Sequence, residues 1–141
     1  MEQPARTDQT QTFPVHISKE NHADTMVLTL AGRIDNSTTE GLKASLDAYA
    51  ATCRAGGDRL VLDFSKVDYI SSVGLRVLML AAKQSREQGG TIVVAALQPV
   101  VREIFEISRF NLVFECFASV REALAKVSPA GLAAYDAKRG P

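Results

Sequence analysis

The chain has 141 residues, of which 46% are hydrophobic and 23% are charged, a balance that excludes a disordered tail or a fibre and suits one folded domain. Sixteen basic residues balance sixteen acidic ones, so no net field attracts nucleic acid. The polar start lacks the apolar core of a secretory signal, and no run approaches the roughly 18 apolar residues of a membrane helix. We therefore expect a soluble, cytoplasmic protein that contacts neither nucleic acid nor membrane directly.

Hydrophobic periodicity predicts strands that alternate with helices along most of the chain. In chain order the predicted elements are strands at about 15–17 and 26–30 joined by a loose turn over 18–25, a helix over about 38–52, a strand at 60–64, a helix from 72 to 88 with Met79 on its apolar face, a strand at 91–96, a helix over 99–108, a strand at 114–117, and a helix that Ser119 caps and Pro129 ends. Pro129 ends that helix because proline cannot continue the ladder of backbone hydrogen bonds.

The order of these elements, β-β-α-β-α-β-α-β-α, predicts an α/β fold. Crossover helices between consecutive strands favour one mixed, mostly parallel sheet of about five strands, with about four α-helices. Residues 1–12 are polar and are interpreted as a disordered lead-in, with order beginning near Phe13. We expect a single domain over 13–128 and a short C-terminal tail over 129–141.

The sequence carries none of the common catalytic signatures, such as a GxxxxGK[ST] phosphate loop, a GxSxG elbow, an HExxH helix or a GxGxxG fingerprint. His16 and His22 lack the spacing of zinc ligands. Cys53 and Cys116 have no CxxC partner, and we interpret both as reduced core residues. We therefore expect no enzyme activity, no bound cofactor and no metal site.

The most informative segment runs from Asp68 to Arg76, where a central strand has ended and a helix is about to start. Ser71 and Ser72 stand at the N-terminus of that helix. Unpaired backbone N–H groups and the helix dipole favour an anion there, so a phosphate on Ser72 could be held at this position. Gly74, which has no Cβ, would let the backbone or a partner approach closely. The alternative is that Ser71 or Ser72 only caps the helix, which is worth about 1 kcal/mol.

Three stretches of the chain carry a resemblance to a known family: LTLAGRIDNSTTEGLKASL, LVLDFSKVDYISSVGLRVLMLAAKQ and GGTIVVAALQPVVREIFEISRFNLVFECFASVREAL. They resemble the STAS domain of bacterial anti-sigma factor antagonists, and the resemblance covers about residues 13–128. It implies a single STAS-like domain. In that family the typical signature is Asp-Ser-Ser/Thr-Gly-Leu, and the first Ser after the Asp is phosphorylated by a partner serine kinase that is also the anti-sigma factor.

The alignment implied by the resemblance places the phosphorylated position at Ser72. Two neighbouring positions depart from the typical signature, because Ser71 replaces the Asp and Val73 replaces the second hydroxyl residue. Gly74 and Leu75 agree with it. Asp35 matches an acidic position that the family places at the same end of the sheet, although a local role as the residue that initiates the first helix is equally expected.

The resemblance implies a partner-switching mechanism. The unphosphorylated domain binds the anti-sigma kinase and displaces the sigma factor, and a phosphate on Ser72 ends that binding. ATP and Mg²⁺ would belong to the kinase, a phosphatase is a further candidate partner, and the protein itself is expected to be a monomer or a weak homodimer. The residues expected to contact the partner are Asp35, Ser71, Ser72, Gly74, Leu75 and Arg76.

An alternative remains open at this point. The replacements at Ser71 and Val73 allow a STAS domain that works as a constitutive scaffold, in a stress-signalling complex or beside a transporter, without phosphorylation of Ser72. The two hypotheses share a fold and differ in whether the serine is modified.

Overall fold

The structure is a computed structural model that describes residues 15–139. The lead-in expected at 1–12 and the start expected near Phe13 lie outside the described residues. Over 15–139 the elements are β1 (His16–His22), β2 (Thr25–Ile34), α1 (Thr39–Ala50), β3 (Arg59–Ile70), α2 (Ser72–Glu87), β4 (Ile92–Ala95), α3 (Pro99–Ile107), a 3₁₀ turn (Phe110–Leu112), β5 (Cys116–Phe117), α4 (Val120–Val127) and α5 (Pro129–Arg139).

The strands form one sheet in the order β1-β2-β3-β4-β5. β1 and β2 are an antiparallel hairpin, and the other neighbouring strands are parallel. The predicted α/β class and mixed sheet are confirmed. The turn of the hairpin is tighter than the loose turn predicted over 18–25, because only Ala23 and Asp24 separate the strands. Ala23 has a φ of 57°, as a two-residue hairpin turn requires.

β3 is much longer than the strand predicted at 60–64. Its pairing with β2 shifts register twice, and at each shift β3 contributes one extra residue, which is the geometry of a β-bulge. β4 pairs with β3 only as far as Asp63, whereas β2 follows β3 until Ile34 lies opposite Ile70. β2 and β3 therefore extend together beyond the rest of the sheet.

The sheet is covered on both faces. One face and the inward sides of α1, α2 and α3 share a core built around large side chains, the largest fully buried ones being Phe64, Phe105 and Phe114. The opposite face is covered by α4 and α5. Adjacent residues of β3, Val61 and Leu62, point to opposite cores, as alternation along a strand requires.

The C-terminal segment differs from the predicted tail over 129–141. Pro129 does follow the end of α4, but it starts a fifth helix, α5, which packs on β1 and α4. Ser128 Oγ accepts a hydrogen bond from Gly131 N at 2.8 Å and donates one to Asp24 Oδ1 at 2.5 Å. Proline suits the first turn of a helix because it needs no N–H donor there, so Pro129 ends one helix and begins the next.

The last strand is shorter than predicted. The prediction placed it at 114–117, whereas β5 covers only Cys116–Phe117. Phe114 precedes it and is buried in the core with 1% of its surface exposed. Phe114 therefore continued the apolar pattern of the predicted strand, although it does not pair with β4.

Candidate functional site

Three of the predicted site residues, Asp35, Ser71 and Ser72, meet at the carboxyl ends of β2 and β3, where open α/β sheets commonly place their functional residues. Asp35 follows β2, and Ser71 follows β3. The backbone N–H of Ser71 donates to the carbonyl of Ile34 at 2.8 Å, which ties the two strand ends together. The loop before α1 and the start of α2 are consequently held side by side.

The two adjacent serines have different environments. Ser71 is the N-cap of α2, and its Oγ accepts from Gly74 N at 3.1 Å. Ser72 is the first helical residue and is exposed. Within 15–139 no hydrogen bond engages Ser72 Oγ. The capping role thus belongs to Ser71, and the Ser72 hydroxyl is accessible.

Gly74 and Leu75 lie inside the fold, unlike their neighbours. A Cβ on Gly74 would stand 2.6 Å from Ile34 Cγ2 and 2.9 Å from Ile70 Cγ1, so glycine lets α2 approach the ends of β2 and β3. Leu75 is 6% exposed and belongs to the core. Both residues are therefore packed inside the fold, and neither offers an exposed side chain for the partner contact predicted for them.

Asp35 organises the loop between β2 and α1. Its Oδ1 accepts from Ser37 Oγ at 2.6 Å and from Ser37 N at 3.0 Å. Its carbonyl accepts from the N–H groups of Thr38 and Thr39. Hydrogen bonds from Ser37, with a smaller contribution from Arg33, hold the pKa of Asp35 below its usual value. Asp35 therefore anchors the turn that leads into α1, whose N-cap is Thr38. Its carboxylate is a fixed negative charge at the end of the sheet that also carries Ser72.

Arg33 joins the site although the sequence prediction did not single it out. Its Nε donates to Asp35 Oδ2 at 3.1 Å, and its Cζ lies 4.1 Å from the centre of the Tyr69 ring. Cation–π stacking of this kind holds a guanidinium group in place. Arg33 and Tyr69 are paired across β2 and β3. Because this pairing depends on the register shifts between the strands, the sequence around either residue did not predict it.

These side chains line a shallow open depression of about 540 Å³. Its lining residues are Arg33, Asp35, Asn36, Ser37, Tyr69, Ser71 and Ser72. Asp35, Ser71 and Ser72 are brought together as predicted. Arg76 is exposed on α2 and does not line the depression.

The outer face of α2 continues the exposed surface away from Ser72. Val73, Met79 and Leu80 are each between 41% and 43% exposed, and Arg76 lies among them. At 100° per residue these positions fall within one third of the helix circumference. Met79 was predicted to face the core and instead faces outward. Exposed apolar side chains grouped with an arginine are typical of a protein–protein interface.

The two cysteines lie away from this depression. Cys53 is fully buried, its Sγ lies 3.0 Å from Ser85 Oγ, and burial raises the pKa of its thiol. Cys116 is half-buried at the start of β5. Across residues 15–139 no group of three or more His, Cys, Asp or Glu side chains is placed to hold a metal ion, and none of the helices there has the length and apolar character to span a bilayer.

Comparison with known proteins gives matches to one domain family and to proteins named anti-sigma factor antagonists. The family model of the STAS domain matches residues 16–123. BtrV of Bordetella bronchiseptica, which is named as an anti-sigma factor antagonist, is 45% identical over 100 residues, or 71% of this chain and 83% of the relative. The anti-sigma-B factor antagonist of Listeria monocytogenes is 30% identical over 69% of this chain and 82% of its own length. The crystal structure of an anti-sigma factor antagonist from Mycobacterium paratuberculosis has a TM-score of 0.71 at 25% identity, and the match covers 80% of this chain and 93% of that one.

Proposed function

Because the chain belongs to the STAS-domain family of anti-sigma factor antagonists, we propose that it binds an anti-sigma factor with serine kinase activity, releases the sigma factor, and is switched off by phosphorylation of Ser72. The observation that carries the proposal is the division of roles between two serines. Ser71 caps α2, so the hydroxyl of Ser72 is left exposed at the first helical position. We place the protein in the cytoplasm, where its partners would be.

The unmodified domain is the binding form in this proposal. Val73, Arg76, Met79 and Leu80 supply the apolar and cationic contact surface along α2, with Ser72 at its end and Asp35 beside it. Methionine and arginine are enriched in protein interfaces. The fixed carboxylate of Asp35 gives the partner a charge to match, and Gly74 and Leu75 act only by holding the start of α2 in place.

Phosphorylation ends the binding by changing the charge of this surface. The γ-phosphoryl group of ATP passes to Ser72 Oγ, the hydroxyl proton leaves to a base of the kinase, and ADP departs. About 1.5 to 2 negative charges then appear on a surface shaped for a neutral hydroxyl. A penalty of about 3 kcal/mol lowers affinity by roughly two decades. A phosphatase would restore the binding form by hydrolysing the phosphate ester.

The proposal is tested by incubating the protein with its candidate anti-sigma kinase, Mg²⁺ and ATP. Intact mass gives the number of phosphates, and peptide mass spectrometry gives their position. We expect one phosphate on Ser72. The matched variants are Ser72→Ala, which should abolish the modification, and Ser71→Ala, which should retain it because Ser71 is only the cap.

A different result would favour the constitutive scaffold. If the complex forms under these conditions and Ser72 stays unmodified, the proposed phosphorylation switch is wrong and the exposed serine has no regulatory role. A phosphate on Ser71 instead would also contradict the proposal, since it would require the cap of α2 to open.

A further inference from the structure

Arg33 lies next to the position whose phosphorylation is proposed above, and its role rests on that phosphorylation of Ser72. We propose that Arg33 is the intramolecular receptor of the Ser72 phosphate and that it exchanges its ion pair with Asp35 for one with the phosphate. In the phosphorylated protein, the ion pairs at this surface are therefore rearranged, and the surface also carries new negative charge.

Arg33 is placed to reach a phosphate on Ser72. Both residues line the depression at the ends of β2 and β3, and Arg33 is the one cationic residue among the described residues that line it. Arg33 lies opposite Tyr69 in the strand pairing, and Ser72 begins α2 three positions after Tyr69. The side chain of Arg33 is 60% exposed, so its outer N–H groups can meet a phosphate without displacing core side chains.

The guanidinium group is already oriented and still has donors to offer. It stacks on the Tyr69 ring at 4.1 Å, and only its Nε is engaged, with Asp35 Oδ2. Within 15–139 neither Nη1 nor Nη2 makes a hydrogen bond. A planar guanidinium group with open N–H donors binds phosphate oxygens in a bidentate manner. Because stacking on Tyr69 already restricts the guanidinium group, binding a phosphate would cost less conformational entropy.

Asp35 does not depend on Arg33 for its position. Its other oxygen, Oδ1, is held by both the N–H and the hydroxyl of Ser37. A phosphate carries about 1.5 to 2 negative charges against one on the carboxylate, so it competes well for the arginine. The N–H groups of Ser72 and Val73, in the first turn of α2, add a second attraction for the anion.

The exchange alters the partner surface at two points. The phosphate occupies the end of α2, and Asp35 loses its counter-ion while remaining fixed by Ser37. A partner that meets this edge then faces a bare carboxylate next to a partly neutralised phosphate. Arg33 therefore binds the phosphate within the chain. Because Asp35 loses its ion pair at the same time, the change of charge also reaches the loop before α1.

The test uses the full chain with phosphoserine incorporated at position 72 during translation, so it does not require a kinase. The second ionisation of the phosphate is followed by ³¹P NMR as a function of pH. We expect Arg33→Gln to raise this pKa by about half a unit or more, because an adjacent cation favours the dianion. Lys83→Gln, which removes one exposed positive charge farther along α2, should change it much less.

Arg76 is the rival receptor, since it lies four residues after Ser72 on the same helix. The proposal is overturned if Arg76→Gln shifts the phosphate pKa more than Arg33→Gln, or if Arg33→Gln has no larger effect than Lys83→Gln. In the unsubstituted chain, the Nε–H resonance of Arg33 should move between the serine and phosphoserine forms, and an unmoved resonance would also overturn it. Failure of a kinase to modify Ser72 would contradict the proposed function alone.

Discussion

Ser71 Oγ accepts a hydrogen bond from the backbone N–H of Gly74 at 3.1 Å. This bond makes Ser71 the structural residue of the pair and leaves Ser72 available at the surface. A sequence with two adjacent serines at a helix start does not by itself say which one caps. The backbone conformation decides, because Ser71 is extended while Ser72 is already helical.

The division of roles predicts different effects on stability. Ser71→Ala removes a capping hydrogen bond and should lower the free energy of unfolding by about 1 kcal/mol. Ser72→Ala removes an exposed hydroxyl and should change it by less than about 0.5 kcal/mol. Urea unfolding followed by circular dichroism measures both. Equal losses in the two variants would contradict the assignment of the cap.

Gly74 should be more sensitive to substitution than a helical glycine in open space. Gly74→Ala would force a Cβ against Ile34 and Ile70, and overpacking of this kind costs about 1–3 kcal/mol. Gly41→Ala is the matched control in α1, because its Cβ would meet no atom within 4 Å. That change should stabilise the protein by about 0.5–1 kcal/mol. The two midpoints of urea unfolding should therefore move in opposite directions, and a shared direction would contradict the close approach of α2 to the strands.

The contact between Asp24 and Ser128 predicts a pH effect on stability. The Ser128 hydroxyl, with help from Arg59, lowers the pKa of Asp24 in the folded state. A lowered folded pKa means that the stabilisation is present above the unfolded value of about 3.9 and is lost as the pH falls through the folded pKa. Asp24→Asn should therefore lose stability at pH 7 and show a smaller further decrease below pH 4. Denaturant unfolding at pH 7 and in steps below 4 measures this, with Asp68→Asn as an exposed control. A variant as acid-sensitive as the parent would rule out the contribution of Asp24.

Much of the sheet could be predicted from local patterns. The apolar run at 60–64 and the alternation at 26–30 belong to β3 and β2, and Ser119 caps α4 through Glu122 N as its position suggested. These features depend on neighbours in sequence. Periodicity and capping preferences therefore suffice to identify them.

Other features depend on contacts between distant residues. The pairing of Arg33 with Tyr69 follows from two register shifts that interrupt the periodic pattern of β3. Pro129 indicated only the end of α4, because the docking of α5 relies on Ser128 reaching Asp24 across the fold. The outward position of Met79 likewise follows from which face of α2 meets α1. No local pattern specifies such partners in advance.

The proposed contact face predicts a selective loss of binding. Leu80→Asp places a charge among the exposed apolar residues of α2 and should weaken the complex with the anti-sigma kinase at least tenfold, or by about 1.4 kcal/mol. Leu112→Asp is the control, because Leu112 is also exposed but lies in the 3₁₀ turn after α3. Isothermal titration calorimetry measures both affinities. Equal losses would show that the contact face is not specific to α2.

A negative charge at position 72 should end partner binding without altering the fold. The most direct measurement is the release of sigma factor from its complex with the candidate anti-sigma kinase, titrated with the wild-type protein and with Ser72→Asp, and with Ser72→Ala as the neutral control. We expect wild type and Ser72→Ala to release the sigma factor at similar concentrations, whereas Ser72→Asp should require a concentration about 100-fold higher. Release by Ser72→Asp at the same concentration as wild type, with unchanged circular dichroism, would contradict this expectation.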